Sequence, residues 1–408
     1  MDADRLPLLW LSGPSGVGKS SVGWEIFTRL SRGGVNAAFV DGDQISLCHP
    51  PPEGGTHRLR ARNLAALWAN FRREGMQCLV LAGFVDTPEE VREYTGLLPD
   101  AAFSLCRLRV SGAELRERFL ARGWRPDLVE EAVAQAESLD ASRYADVCVD
   151  TDGLTVPEVA RSVRERAGGW PGARPAAPPP GPADRRAHSP ASRGDAVPAA
   201  AEKVPLLWFS GATAVGKSTI GYEVFRHVYR TGARAAYVDV KQIAAMRTPT
   251  DGAAGRHRLK AGNLAALWAG YRAAGATYLI VSGEADSDEV VRRYADLLPG
   301  TALTVCRLHA SPATLYERVV RRGQGGGPAM PGDALQGLGQ DALRRVAERA
   351  ADEAETLHRA GAGDLRIDTD GRPAGELAAE VMSRLDPARV RSRGVVPGVA
   401  APVPPQVV

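Results

Sequence analysis

The segment LLWLSGPSGVGKSSVGWEIF, beginning at Leu8, returns as LLWFSGATAVGKSTIGYEVF at Leu206. A second block, HRLRARNLAALWANFR from His57, returns as HRLKAGNLAALWAGYR from His257. YTGLLP is answered by YADLLP, and VDTDG at Val149 by IDTDG at Ile367. Matching blocks in the same order do not arise by chance. The chain is a tandem duplication, and one fold must serve twice. The copies are expected over residues 6–170 and 204–390.

Between them, residues 171–203 are rich in Pro, Ala and Gly and nearly lack large apolar side chains. Such a stretch buries too little surface to offset the entropy of ordering it, so it reads as a disordered, semi-extended linker. It is long enough for the copies to pack together or to stay apart. Residues 391–408 read as a disordered tail for the same reason.

Elsewhere the composition is that of a globular protein, with 44% hydrophobic and 24% charged residues. A net charge of +3 gives no electrostatic case for nucleic acid or an anionic membrane. No apolar run is long enough to span a bilayer, and the N-terminus lacks a signal-peptide pattern, so a cytoplasmic protein is expected. The five cysteines match no metal or redox spacing.

Within the first copy, short apolar runs alternate with helical patterns. Strands are expected at 8–11, 37–40, 79–82, 103–110 and 147–149, and helices at 20–32, 59–73, 114–121, 127–139 and 156–165. The second copy repeats this order. The alternation predicts an α/β fold, a parallel sheet covered by helices on both faces.

The loop after the first strand carries the chemistry. Both copies fit G-x-x-x-x-G-K-[ST] between a strand and a helix, the context that motif requires. The expected nucleotide-binding residues are Gly13, Ser15, Gly16, Val17, Gly18, Lys19 and Ser20, and then Gly211, Thr213, Ala214, Val215, Gly216, Lys217 and Ser218. Glycines let the backbone wrap a phosphate so that successive N–H groups point inward. The following helix adds its positive end. The lysine bridges the terminal phosphates and the serine hydroxyl holds Mg²⁺. This is a P-loop, and the expected cofactors are ATP and Mg²⁺.

The second strand ends in Asp41-Gly42-Asp43-Gln44. Carboxylates at the C-terminal ends of parallel strands face the ligand crevice. Asp41 and Asp43 are candidates for holding Mg²⁺, with Ser20, or for accepting a proton from an acceptor hydroxyl. In the second copy Asp239 matches Asp41 and pairs with Ser218 as the metal candidate, but Lys241 stands where Asp43 would be. A protonated lysine is a poor base. Arg58 and Arg62 share a helix face and either clamp an acceptor's anionic group or solvate that face. Arg116, Arg118, Arg122 and Arg125 read as a lid over the transferring phosphate or as ordinary surface arginines. Asp86 serves Mg²⁺ or caps the next helix. The Asp150–Gly153 loop lies near the base or forms a capped turn. The expected catalytic set is Lys19, Asp41, Asp43, Arg62 and Arg122.

Assembled in this order, each copy resembles the P-loop small-molecule kinases, and among them adenylyl-sulfate (APS) kinase. The likeness rests on Leu9-Trp10-Leu11-Ser12-Gly13 and the loop that follows, on Asp41-Gly42-Asp43-Gln44 against the family's Asp-Gly-Asp-Asn, and on Arg62-Asn63 before an apolar helix. It implies a phosphotransferase in which Lys19 and Ser20 handle ATP and Mg²⁺, Asp43 assists the acceptor hydroxyl, and Arg62 and Asn63 bind an acceptor nucleotide. The sequence departs from the family at Ser46, where an arginine is usual, and in CHPPPEGGTH after Gln44. The expected partner is a small-molecule acceptor, a nucleotide or another anionic metabolite. The rival reading is a nucleotide-dependent switch or scaffold without acceptor chemistry.

Overall fold

The computed structural model describes residues 5–122, 128–172, 203–247, 252–283, 287–326 and 331–385. Most of the expected linker at 171–203 and all of the expected tail at 391–408 lie outside these residues.

The first half runs β1 (Leu6–Ser12), α1 (Lys19–Arg32), β2 (Ala37–Asp41), β3 (Cys48–His49), α2 (Gly55–Arg73), β4 (Cys78–Ala82), α3 (Pro88–Leu97), β5 (Ala101–Arg109), α4 (Gly112–Arg122), α5 (Val129–Ala141), β6 (Val147–Asp150) and α6 (Val156–Arg166). The second half repeats it with β7 (Val204–Ser210), α7 (Lys217–Arg230), β8 (Ala235–Asp239), β9 (Ala245–Met246), α8 (Gly252–Ala273), β10 (Tyr278–Ser282), α9 (Asp288–Ala295), β11 (Thr301–His309), α10 (Pro312–Gly323), α11 (Gln340–Arg359), β12 (Leu365–Asp368) and α12 (Ala374–Leu385).

The described residues fall into two compact units. Among the described residues, one draws on the stretches up to 46, from 57 to 172 and from 242 to 263, the other on 47–56, 203–241 and the stretches from 264 to 385. Repeat and unit are therefore different divisions of the chain. The sheet of the first unit has the order β6-β5-β1-β4-β2-β9, and that of the second β12-β11-β7-β10-β8-β3. Five strands of each are parallel. The edge strand is antiparallel and comes from the other repeat. Ala38 lies opposite Met246 in the first sheet, and Cys48 opposite Ala236 in the second. This is the α/β P-loop NTPase-like fold, present twice.

Strand β1 shows why the run Leu8–Leu11 is continuously apolar. All four residues are fully buried, because a central parallel strand is covered on both faces. Leu9 and Leu11 join Val22, Ile26, Phe27 and Leu30 of α1, residues at the four-residue spacing of one helix face. Trp10 points the other way. Its ring lies 4.4 Å from that of Tyr94 on α3, and its Nε1 donates to the carbonyl of Gly83 at 2.9 Å. Removing a side chain of that size from a core costs about 3–5 kcal/mol.

The cap of α3 is Thr87, whose hydroxyl accepts from the N–H of Glu90, with Pro88 at the first helical position. Asp86, expected either to serve Mg²⁺ or to cap this helix, is not the cap; its backbone N–H donates to Glu90. Ser287 caps α9 in the same way. All five cysteines are free thiols. Burial pushes Cys106 and Cys306 up to about 12, so these two are small apolar fillers. Among the described residues no helix is long and apolar enough to cross a membrane.

Candidate active site

At the end of β1 the chain turns through residues 13–18 before α1 begins at Lys19. Gly13 has φ +146, and a Cβ there would sit 2.5 Å from the carbonyl oxygen of Leu108. Gly211 repeats both features, at φ +138 against Leu308. Only a residue without a side chain lets the loop start this close to the neighbouring strand. Lys19 Nζ donates to the carbonyls of Gly13 and Pro14, each at 2.9 Å. Lys217 does the same to Gly211 and Ala212, at 2.7 and 2.9 Å. Each lysine thus arches over its own loop. Ser15 is exposed, whereas Val17 and Val215 are buried and lock the loop to the core.

One loop position differs informatively. Gly16, at φ +84, faces the ring of Phe119, and a Cβ there would lie 2.6 Å from it. The second loop has Ala214 at φ +63, a conformation that a non-glycine residue adopts at a cost. The counterpart of Phe119 is the smaller Val319, and Ala214 packs on the cluster of Val319, Leu335, Leu343 and Ala347. The methyl gained by the loop is matched by the ring lost from the helix. The second loop is also braced by Glu353 on α11, which accepts the N–H of Thr213 at 3.1 Å.

Next to the loop, β2 delivers Asp41. Ser20 Oγ donates to Asp41 Oδ2 at 2.6 Å, and Ser218 to Asp239 at the same distance. The other oxygen of each aspartate accepts the backbone N–H two residues on, at Asp43 and Lys241. Burial pushes the Asp41 carboxyl up from 3.8 to about 6, and the charge of Asp43 adds to the rise. Hydrogen bonds from Ser20 and from the Asp43 backbone, and the charge of Lys19, oppose it.

Asp43 is held by a residue outside the expected catalytic set. Arg60, on α2, is almost fully buried. It donates through Nη2 to Asp43 Oδ1 at 2.9 Å, through Nη1 to the carbonyl of Phe84 at 3.1 Å, and through Nε to Ser46 at 3.2 Å. Ser46 stands where the resembling family has an arginine; here it is a partner of Arg60. A Cβ on Gly42 would come within 2.9 Å of Arg60 Cδ, so this glycine makes room for it. The second half changes the three together: Val240, Lys241 and Lys260 replace Gly42, Asp43 and Arg60.

Other expected site residues are placed elsewhere. Arg62 is on the exposed side of α2, and Arg58 pairs with Glu93 at 2.9 Å. Asn63 is buried, and its Nδ2 donates to the carbonyl of Ile45 at 2.6 Å, fastening the segment after Asp43. Asn263 does the same for Ile243. Arg118 bonds the carbonyl of Val17 at 3.1 Å and both oxygens of Thr151, tying the phosphate loop to the loop after β6. Arg318 repeats this with Val215 and Thr369. These two are anchors of the loop. Asp152 accepts the N–H and hydroxyl of Ser111, so the 150–153 loop is a tie between strand ends. Arg116 forms an exposed pair with Glu130 at 2.8 Å. The side chain of Arg122 and all of Arg125 lie outside the described residues.

The helical spacing of α2 contained the signal for Arg60. Leu64, Leu67, Trp68 and Phe71 follow it at four, seven, eight and eleven positions, all on the buried stripe. Arg62 is two positions off that stripe.

No family model matches the chain. Over 166 residues it is 28% identical to the adenylyl-sulfate kinase of Paraburkholderia xenovorans, an alignment covering 39% of this chain and 90% of that protein. Among solved structures it is similar to the tunicamycin resistance protein of Deinococcus radiodurans, at 19% identity and a TM-score of 0.32, covering 40% of this chain and 96% of that one. It is also similar to the shikimate kinase of Acinetobacter baumannii, at 16% identity and a TM-score of 0.33, covering 47% and 97%.

Proposed function

We propose that the first half of the chain transfers a phosphoryl group from Mg-ATP to a hydroxyl or phosphate of a small anionic metabolite, and that the two halves are kinase-like domains of unequal role. The observation that carries this reading is the 2.6 Å bond between Ser20 and Asp41, with Asp43 two residues further on in the grip of Arg60. A loop lysine, a metal-competent hydroxyl–carboxylate pair and a positioned second carboxylate are the parts that this chemistry needs.

The residues suit Mg²⁺. Among the described residues no group of three or more His, Cys, Asp or Glu side chains forms a protein cage. One hydroxyl and one carboxylate instead fit an ion that keeps several waters and takes its other ligands from phosphates. Ser20 and Asp41 would hold it, with Asp41 ionised. Bound Mg-ATP would supply the phosphoryl group and concentrate positive charge on it.

Lys19 would exchange the carbonyls of Gly13 and Pro14 for the terminal phosphate oxygens. Asp43 would orient the acceptor hydroxyl and take its proton. Arg60 fixes the orientation of Asp43 through the 2.9 Å bond to its Oδ1. Arg122, whose side chain lies outside the described residues, is the proposed grip for the transferring phosphoryl group. Likeness to an adenylyl-sulfate kinase supports an acceptor bearing a phosphate or sulfate.

The test is ATP consumption by the full chain against a panel of APS, sugar acids, shikimate, nucleosides and nucleoside monophosphates. One acceptor should raise turnover, and Lys19→Ala should lower that turnover by at least about 100-fold. Unchanged turnover in the variant would remove Lys19 from the mechanism.

A further inference from the structure

The second half contains a cavity of about 410 Å³ over its phosphate loop. Six basic side chains line it: Lys217, Lys241, Arg318, Arg321, Arg322 and Arg372. One carboxylate, Asp239, lines it as well, bonded to Ser218. Arg322 is backed by Asp333 at 2.8 Å, and Arg372 by Glu376 at 2.7 Å, which fixes both guanidinium groups in place. Everything that would receive a triphosphate and Mg²⁺ is present: the lysine, the hydroxyl, the aspartate and the helix start.

The acceptor side differs. Lys241 lines the cavity at the position of Asp43, and so puts a donor-only ammonium group where the first half has a carboxylate. It cannot take a proton from a hydroxyl, but it can hold an anion. The change is not isolated, because Val240 and Lys260 stand where Gly42 and Arg60 shape the first site. Contacts that bind a phosphate equally well in ground and transition states lower the energy of the bound complex without lowering the barrier. The loop itself is stiffened by the Ala214 packing and by Glu353.

We propose that the second half is a retention site. It binds a Mg-nucleoside triphosphate, with Lys241 and Arg321 on the terminal phosphate, and does not pass that phosphate on. This rests on reading the first half as the kinase, since Lys241 is judged against Asp43.

Binding stoichiometry separates the two ideas. The full-length Lys19→Ala protein, titrated with Mg-ATP by calorimetry, is expected to bind one nucleotide per chain and to show no acceptor-stimulated turnover. The wild type is expected to bind two, and Lys19→Ala/Lys217→Ala none. Adding Lys241→Asp to Lys19→Ala should raise the dissociation constant about tenfold or more, as a charge-assisted contact becomes a repulsion. Lys19→Met serves the same purpose should the alanine variant melt early. The proposal fails if the Lys19 variants bind no nucleotide, if they keep acceptor-stimulated turnover, or if Lys241→Asp binds as tightly as its parent. If the wild type binds two nucleotides but no acceptor raises turnover, the kinase reading of the first half fails while retention by the second stands.

Discussion

Ser20 Oγ reaches Asp41 Oδ2 across 2.6 Å, and so joins the first turn of the helix after the phosphate loop to the end of β2. Both groups would have to turn toward a metal ion. The bond therefore holds the two proposed metal ligands side by side before any ion arrives.

The raised pKa of Asp41 gives this pair a pH signature. Between its ordinary 3.8 and about 6, the folded protein binds a proton that the unfolded chain has released. Stability from this group is therefore fully present below about 4, and is lost as pH rises through about 6. The two-unit shift corresponds to roughly 3 kcal/mol at most. Asp41→Asn keeps the neutral shape, so its urea midpoint should fall less than that of the wild type between about pH 4.5 and 7.5. Equal falls would show that Asp41 titrates normally. Mg-nucleotide binding by the first site should weaken in the opposite sense, as pH drops below about 6.

The loop exchange makes a stability prediction. Gly16→Ala places a methyl against Phe119 at a backbone angle of +84° and should cost about 1–3 kcal/mol in denaturant unfolding. Phe119→Val in the same chain should recover part of that loss, because this pair already exists at Ala214 and Val319. Ala214→Gly should change stability by about 1 kcal/mol or less, since backbone relief and the lost methyl contact oppose each other.

Arg60 should act through Asp43 and not on substrate directly. Arg60→Met leaves a partly buried carboxylate without its cation and is expected to lower kcat about 10- to 100-fold, with a smaller change in KM for ATP. Arg60→Lys should restore part of the rate. A purely structural role would lower the melting temperature and leave kcat of the folded fraction unchanged.

Arg118 and Arg116 lie two residues apart and should behave differently. Arg118→Ala unties the phosphate loop from Thr151 and should weaken Mg-ATP binding about tenfold. Arg116→Ala, which breaks only an exposed pair with Glu130, should leave binding within a factor of two or so. Equilibrium dialysis of both variants makes the comparison.

The fold was legible because its signals are local and periodic. The paired G-x-x-x-x-G-K-S loops and the alternation of short apolar runs with helical stripes each depend on a handful of adjacent residues. Asp41 could be read for the same reason, as a carboxylate at a strand end. Arg60 is legible only from its position on the apolar stripe of α2, since an arginine is ordinarily a solvated residue. The strands Cys48–His49 and Ala245–Met246 had no sequence signature at all. Two residues carry no period, and the partner of each lies in the other repeat, about 190–210 positions away.

That distance has a consequence for how the chain is made. The edge of β2 is closed by Ala245–Met246, so a ribosome adding roughly 5–20 residues per second leaves it open for about 10–40 seconds. An open strand edge pairs with whatever suitable backbone is near. Cys48–His49 occupies the same place in its repeat as Ala245–Met246 and is made long before it, yet it pairs in the other sheet. Translation of the second repeat thus sets when the first sheet's edge can close, a delay that duplication created.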